Sequence, residues 1–218
     1  MTKYLGRLIA VGMAALLAQQ PVIANDANDS VARWDFDVYL DDKKVGKHSF
    51  EVAETDGVKQ VTSEADFRYK ILFFSAYRYE HSNLERWSDN CLVQFDATTN
   101  ANGKRLATSG RKDGSVFSVT SGEKSVELPE CVMSFAYWNR TFLQQPRLLN
   151  PQSGEYLDVD VQKLNRDVLD VRGERVAAIP YKLTANELEL TVWYSEDDEW
   201  LALESVAKGG QIIRYELS

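Results

Sequence analysis

The chain has two histidines, His48 and His81, and each falls in a run where apolar and polar residues alternate. From Tyr77 onward the alternate positions are Tyr77, Tyr79, His81, Asn83, Glu85 and Trp87. In an unbroken strand these six share one face. His48 alternates in the same way with Gly46, Phe50 and Val52. Two imidazoles and a carboxyl among aromatic rings have three uses: to orient a ligand's polar end, to act as acid and base, or to form a buried network that fixes strand register. His81 and Glu85 are four residues apart, which separates their Cα atoms by roughly 13 Å along a strand. A direct acid–base pair between them therefore needs a bulge, and contact of either with His48 across strands is the shorter route.

Other chemistry is thinly represented. The sequence has no Gly-rich phosphate loop, no nucleophile elbow and no His-Glu-x-x-His. Two histidines and one carboxyl on separate strands are a weak metal set, and the acidic turn Ser195–Glu199 lacks the glycine and distal glutamate of a calcium loop. No cofactor or metal is expected, and no catalytic residue is assigned. Cys91 and Cys131, 40 residues apart, are the two cysteines. In an oxidising compartment they would form a disulfide; otherwise they pack as small buried thiols.

The elements that must position these residues are mostly strands. Trp34, Phe36, Val38 and Leu40 alternate with Arg33, Asp35, Asp37 and Tyr39, and Val61, Ser63, Ala65, Phe67 and Tyr69 alternate again after the hairpin turn Asp56-Gly57. Turn signals recur at Asn102-Gly103, Asp113-Gly114, Ser121-Gly122, Asn186 and Gly209-Gly210. Regular spacing of this kind predicts a mainly β fold: a curved antiparallel sheet or incomplete β-barrel. One stretch departs from it. Between 130 and 144, Cys131, Phe135, Trp138 and Phe142 recur at steps of four, three and four, bracketed by Pro129 and Pro146. That spacing predicts an α-helix wrapped by the sheet. Trp34, Trp87, Tyr137, Trp138, Trp193 and Trp200 either fill the core or line a cavity between sheet and helix.

The amino-terminal residues have the three parts of a signal peptide: Lys3 and Arg7, an apolar run from Leu8 to Ala18, and Val22-Ile23-Ala24 at a cleavage position. The run is short of the ~20 apolar residues a spanning helix needs, so no stable membrane span is expected. Residues 1–24 are read as a signal peptide removed after Ala24, 25–30 as a disordered leader, and 31–218 as a single β-rich domain. Loss of Lys3 and Arg7 would take the formal charge of −8 to −10. That balance discourages nucleic acid as a partner.

The run Gly46-Lys47-His48-Ser49-Phe50, then Tyr79-x-His81, Glu85-x-Trp87 and Asn102-Gly103, resembles an uncharacterised, domain-of-unknown-function family of exported bacterial proteins. Tyr137-Trp138-Asn139, the hairpin from Trp193-Tyr194 to Trp200-Leu201, and Gly210 to Tyr215 fit the same pattern. More remotely, long curled strands around a helix look like the lipoprotein-carrier fold of the LolA and LolB type. That likeness implies an open barrel sheltering acyl chains, although the arginine with which the carriers meet their cargo has no counterpart here. The expectation is a soluble periplasmic protein holding a lipid or other apolar ligand, with His48, Tyr79, His81, Glu85 and Trp87 on the sheet and Phe135 and Trp138 on the helix. Its rivals are an assembly module of the cell envelope without a ligand, and a small His/Glu-dependent hydrolase or isomerase.

Overall fold

The structure, a computed structural model, describes residues 30–71, 75–207 and 209–218. The expected signal peptide and nearly all of the expected leader lie outside these residues. Eight strands come first: β1 (Ser30–Leu40), β2 (Lys43–Thr55), β3 (Val58–Ile71), β4 (Ser75–Ser88), β5 (Cys91–Ala101), β6 (Lys104–Asp113), β7 (Val116–Ser121) and β8 (Lys124–Pro129). Eight more follow: β9 (Arg147–Asn150), β10 (Glu155–Asp158), β11 (Asp160–Lys163), β12 (Asp167–Val171), β13 (Glu174–Ala185), β14 (Leu188–Tyr194), β15 (Trp200–Val206) and β16 (Ile212–Leu217).

Tight turns connect most of the strands. Asp56 and Gly57 both have positive φ (52° and 76°), as do Asn102 and Gly103 (52° and 84°), the conformation a two-residue hairpin needs to match strand twist. Neighbouring strands pair antiparallel in the order β11-β13-β14-β15-β16-β1-β2-β3-β4-β5-β6-β7-β8, with β12 folded onto β13 and β9–β10 a separate pair. The ends of this order, β8 and β11, do not pair with each other, so the curved sheet is an open barrel. The outer face carries ion pairs such as Arg33 with Asp35 and Glu51. Among the described residues no helix is long and apolar enough to cross a membrane.

The concave side is filled by the segment between β8 and β10, and here the sequence expectation is corrected. Residues 130–144 do not form an α-helix. The chain runs irregularly to Asn139 and makes one five-residue 3₁₀ turn, Arg140–Gln144, capped by the Asn139 side chain. Backbone bonds explain the difference. Leu92 N–H donates to Val132 O, Leu149 N–H to Met133 O and Phe135 N–H to Leu149 O, and Ser134 forms a parallel bridge with Leu149. These partners satisfy backbone groups that a helix would have satisfied within itself. Val132, Met133, Ala136 and Phe142 are all buried. Tyr137, Trp138 and Leu143 beside them are half-buried, and over so short a stretch the spacing of a few aromatic residues does not separate helix from irregular chain. Cys91 and Cys131 are bonded, with Cα atoms 5.0 Å apart, which ties the start of this plug to β5. The plug then touches both halves of the sheet. Trp138 meets Trp87 edge-on at 5.5 Å, and Tyr137 meets Trp200 at 5.3 Å.

Candidate functional site

Register brings the sequence-selected residues together. His48 on β2 pairs with Ala65 on β3, Ala65 with His81 on β4, and His81 with Thr99 on β5. One step along the same face, Phe50, Ser63, Asn83 and Ala97 form a second row; the next contains Val52, Val61, Glu85 and Phe95. All point to the concave side. Two strand spacings put the histidine Cα atoms roughly 10 Å apart, and between them lies only the methyl group of Ala65. Small residues at the middle of these rows leave space that large ones would fill.

The plug closes that space from above with Phe135, Ala136, Tyr137, Trp138, Asn150, Pro151 and Gln152. The result is a cavity of about 190 Å³, also lined by His48, Phe50, Ser63, Tyr79, His81, Asn83, Glu85 and Tyr215. Of the seven residues expected at a site, six line it: His48, Tyr79, His81, Glu85, Phe135 and Trp138. Trp87 does not. Its ring is fully buried, and its indole Nε1–H donates to Glu85 Oε2 at 2.9 Å. Phe135 and Trp138 reach the cavity from irregular chain and not from a helix.

The polar groups have definite partners. His48 Nε2 lies 2.7 Å from Ser63 Oγ and its Nδ1 3.5 Å from Tyr215 Oη; the ring stacks on Phe50 at 4.1 Å. Burial, with a smaller contribution from His81, lowers the His48 pKa to about 3, so the imidazole is neutral near pH 7. His81 Nδ1 lies 2.9 Å from Thr99 Oγ1, and burial lowers its pKa too. Tyr79 stacks on Phe67 at 5.2 Å and donates to Gln152 Oε1 at 3.1 Å. Glu85 is 4% exposed. Asn83 Nδ2 donates to its Oε1 at 3.0 Å, Trp87 holds its Oε2, and Ser134 adds a third donor. Desolvation outweighs all three and raises the carboxyl's pKa. Among the described residues no hydrogen bond joins Glu85 to either histidine.

Two buried polar atoms on the lining side chains have no partner: Asn83 Oδ1 and Trp138 Nε1. Asn83 is 7% exposed. A buried polar atom left unbonded costs about 1–3 kcal/mol, and these two are the unsatisfied polar atoms of the lining side chains. Sequence reasoning placed Asn83 on the right face without selecting it. Tyr215 was out of reach, because nothing local says that β16 lies beside β1. No group of three or more His, Cys, Asp or Glu among the described residues is arranged to hold a metal ion.

A family profile described as "Domain of unknown function (DUF6134)" matches residues 36–218. No curated protein matches the chain significantly. Among solved structures, the chain is similar to a beta-barrel-like protein of domain of unknown function DUF1849 from Brucella abortus. The two share 8% identity at a TM-score of 0.63, covering 85% of this chain and 94% of that one. At that identity the likeness establishes the barrel-like fold alone.

Proposed function

The chain belongs to the DUF6134 family, and from that premise we propose that it is a ligand-binding domain, working in the periplasm after export, that holds one small molecule between its sheet and its plug. The observation that carries this reading is a cavity of about 190 Å³ between sheet and plug, lined by His48, Tyr79, His81, Glu85 and Trp138 among others. Aromatic walls with a few fixed polar groups are the usual composition of a small-molecule site. The space is below the roughly 300–1,000 Å³ of drug-sized ligand pockets, which favours a small molecule over a whole acyl chain. The lipid expected from sequence is thereby narrowed to a small molecule with an apolar body and a polar head. The Cys91–Cys131 bond agrees with an oxidising compartment.

Native mass spectrometry of gently purified protein, followed by solvent extraction, tests the reading. A mass increment of one small molecule is expected, lost in Ser63→Leu, which puts a larger side chain into the middle row. If the wild type carries nothing, and no small amphiphile in a library raises its melting temperature, the reading is wrong.

A further inference from the structure

We propose that Ser63 is a nucleophile that takes the acyl group of a small uncharged ester held in the cavity, with His48 as its base; this rests on the ligand-site reading above. The two residues come from adjacent strands. Ser63 on β3 pairs with Phe50 on β2, and His48 lies one step along the same face. Across that diagonal Ser63 Oγ and His48 Nε2 are 2.7 Å apart, a hydrogen-bond distance and the reach that a general base needs. Both residues line the cavity, and Ser63 is buried.

The neighbours hold the imidazole in place as an acceptor. Phe50 stacks on the ring at 4.1 Å, and Tyr215 Oη lies 3.5 Å from Nδ1. In the tautomer with its proton on Nδ1, facing Tyr215, Nε2 accepts from the Ser63 hydroxyl. Asn83 stands opposite Ser63 in the β3–β4 ladder, where Cβ atoms are about 5 Å apart. One Asn83 Nδ2 hydrogen goes to Glu85 Oε1, which leaves the second for an oxyanion formed at Ser63. No lysine or arginine lines the cavity, so a neutral ester suits it better than an anionic one.

The transfer balances with water as the co-reactant. Ser63 Oγ bonds to the carbonyl carbon, its O–H bond breaks, and the proton passes to His48 Nε2 while the carbonyl π pair moves to oxygen. When the carbonyl re-forms, the bond to the leaving oxygen breaks with its electron pair. That oxygen takes the proton from His48 and departs as an alcohol. Water then repeats the sequence on the Ser63 ester and releases the acid. Burial, with a smaller contribution from His81, lowers the His48 pKa to about 3, so the free base is present throughout the neutral range. That value describes proton uptake with no counter-charge at hand. In the tetrahedral intermediate the oxyanion lies beside the imidazolium and offsets part of the cost of burial.

The probe p-nitrophenyl acetate joins an aromatic ring to an acetyl group and carries no charge. The full chain is incubated with it at pH 7, release of nitrophenolate is followed by absorbance, and the digested protein is mapped by mass spectrometry. The expected result is an acetyl group on Ser63 with a burst of about one nitrophenolate per chain. Steady release that is lost in Ser63→Ala counts equally, because water then clears the acyl group faster than it forms. His48→Gln removes the base and slows the reaction at Ser63 about tenfold or more. Should either variant fail to fold, wild type in urea takes its place, since unfolding separates the pair and must abolish the reaction at Ser63. Absence of both the label and Ser63-dependent release overturns the nucleophile, as does an equal rate in His48→Gln or in urea. A bound molecule found by native mass spectrometry in that case leaves the ligand site standing; its absence removes both.

Discussion

At the scale of single residues, burial decides what each candidate group can do. His48 is an imidazole that the fold keeps neutral, wedged between Phe50, Ser63 and Tyr215. Its pKa is about 3 in the folded chain against an ordinary 6.5. Between those values the unfolded chain takes up a proton that the folded chain refuses, so this contribution is intact above pH 6.5 and is lost as pH falls towards 3. His81 has the same sign. Glu85 has the opposite sign, because its raised pKa favours the folded chain in acid. The His48 shift is large and makes its own contribution fall on the acid limb. We expect the urea midpoint of the wild type to drop between pH 7 and pH 5, and His48→Gln, which keeps a polar group near Ser63, to drop by less. Equal drops would show that His48 protonates freely in the folded state. The role of Trp87 shows why a residue on the right face need not line the cavity: it holds the Glu85 carboxyl, which does.

At the scale of elements, strands were legible in the sequence and the plug was not. Period-two alternation is local, and it placed Tyr79, His81, Asn83 and Glu85 on one face of β4 as found. The helix expected over 130–144 rested on the spacing of Cys131, Phe135, Trp138 and Phe142, a stripe widened by Val132, Ala136 and Leu143, and on the flanking Pro129 and Pro146. What fixes that run is a set of backbone bonds to Leu92 and Leu149, invisible from within the segment. The convergence of His48 with His81 depended on β2, β3 and β4 being neighbours, and of these two pairings the turn at Asp56-Gly57 made the first readable. The contribution of Tyr215 depended on a partner far along the chain. The disulfide is the covalent clamp at the start of the plug. Its 40-residue separation gives about 4 kcal/mol from loop-closure entropy. We expect the double change Cys91→Ser with Cys131→Ser to lower stability by about that amount in denaturant titrations. Amide exchange should speed up most between residues 131 and 150. Uniform acceleration across β1–β8 would show that the bond holds the sheet and not the plug.

At the scale of the whole molecule, one strand joins two sets of strands. β16 is the hydrogen-bonded link between β1–β8 on one side and β11–β15 on the other, pairing with β15 through Ser205↔Ile213 and with β1 through Leu40↔Ile213. Its side chains also meet the core, where Phe36, Trp200 and Tyr215 pack together. Proline at a position paired on both sides removes a ladder bond that a central strand cannot spare. We expect Ile213→Pro to cost about 3 kcal/mol or more and to lower one shared transition, seen alike by tryptophan fluorescence and far-ultraviolet circular dichroism. Two separated transitions would mean that the two sets of strands fold independently. The placement of β16 also has a meaning in time. Phe36 pairs with Leu217, so a chain emerging amino end first presents β1 with one edge bare until β2–β15 have been made. The β1–β16 pairing therefore forms only after that whole interval of synthesis, and a helper that shields a lone strand edge would act on β1 during it.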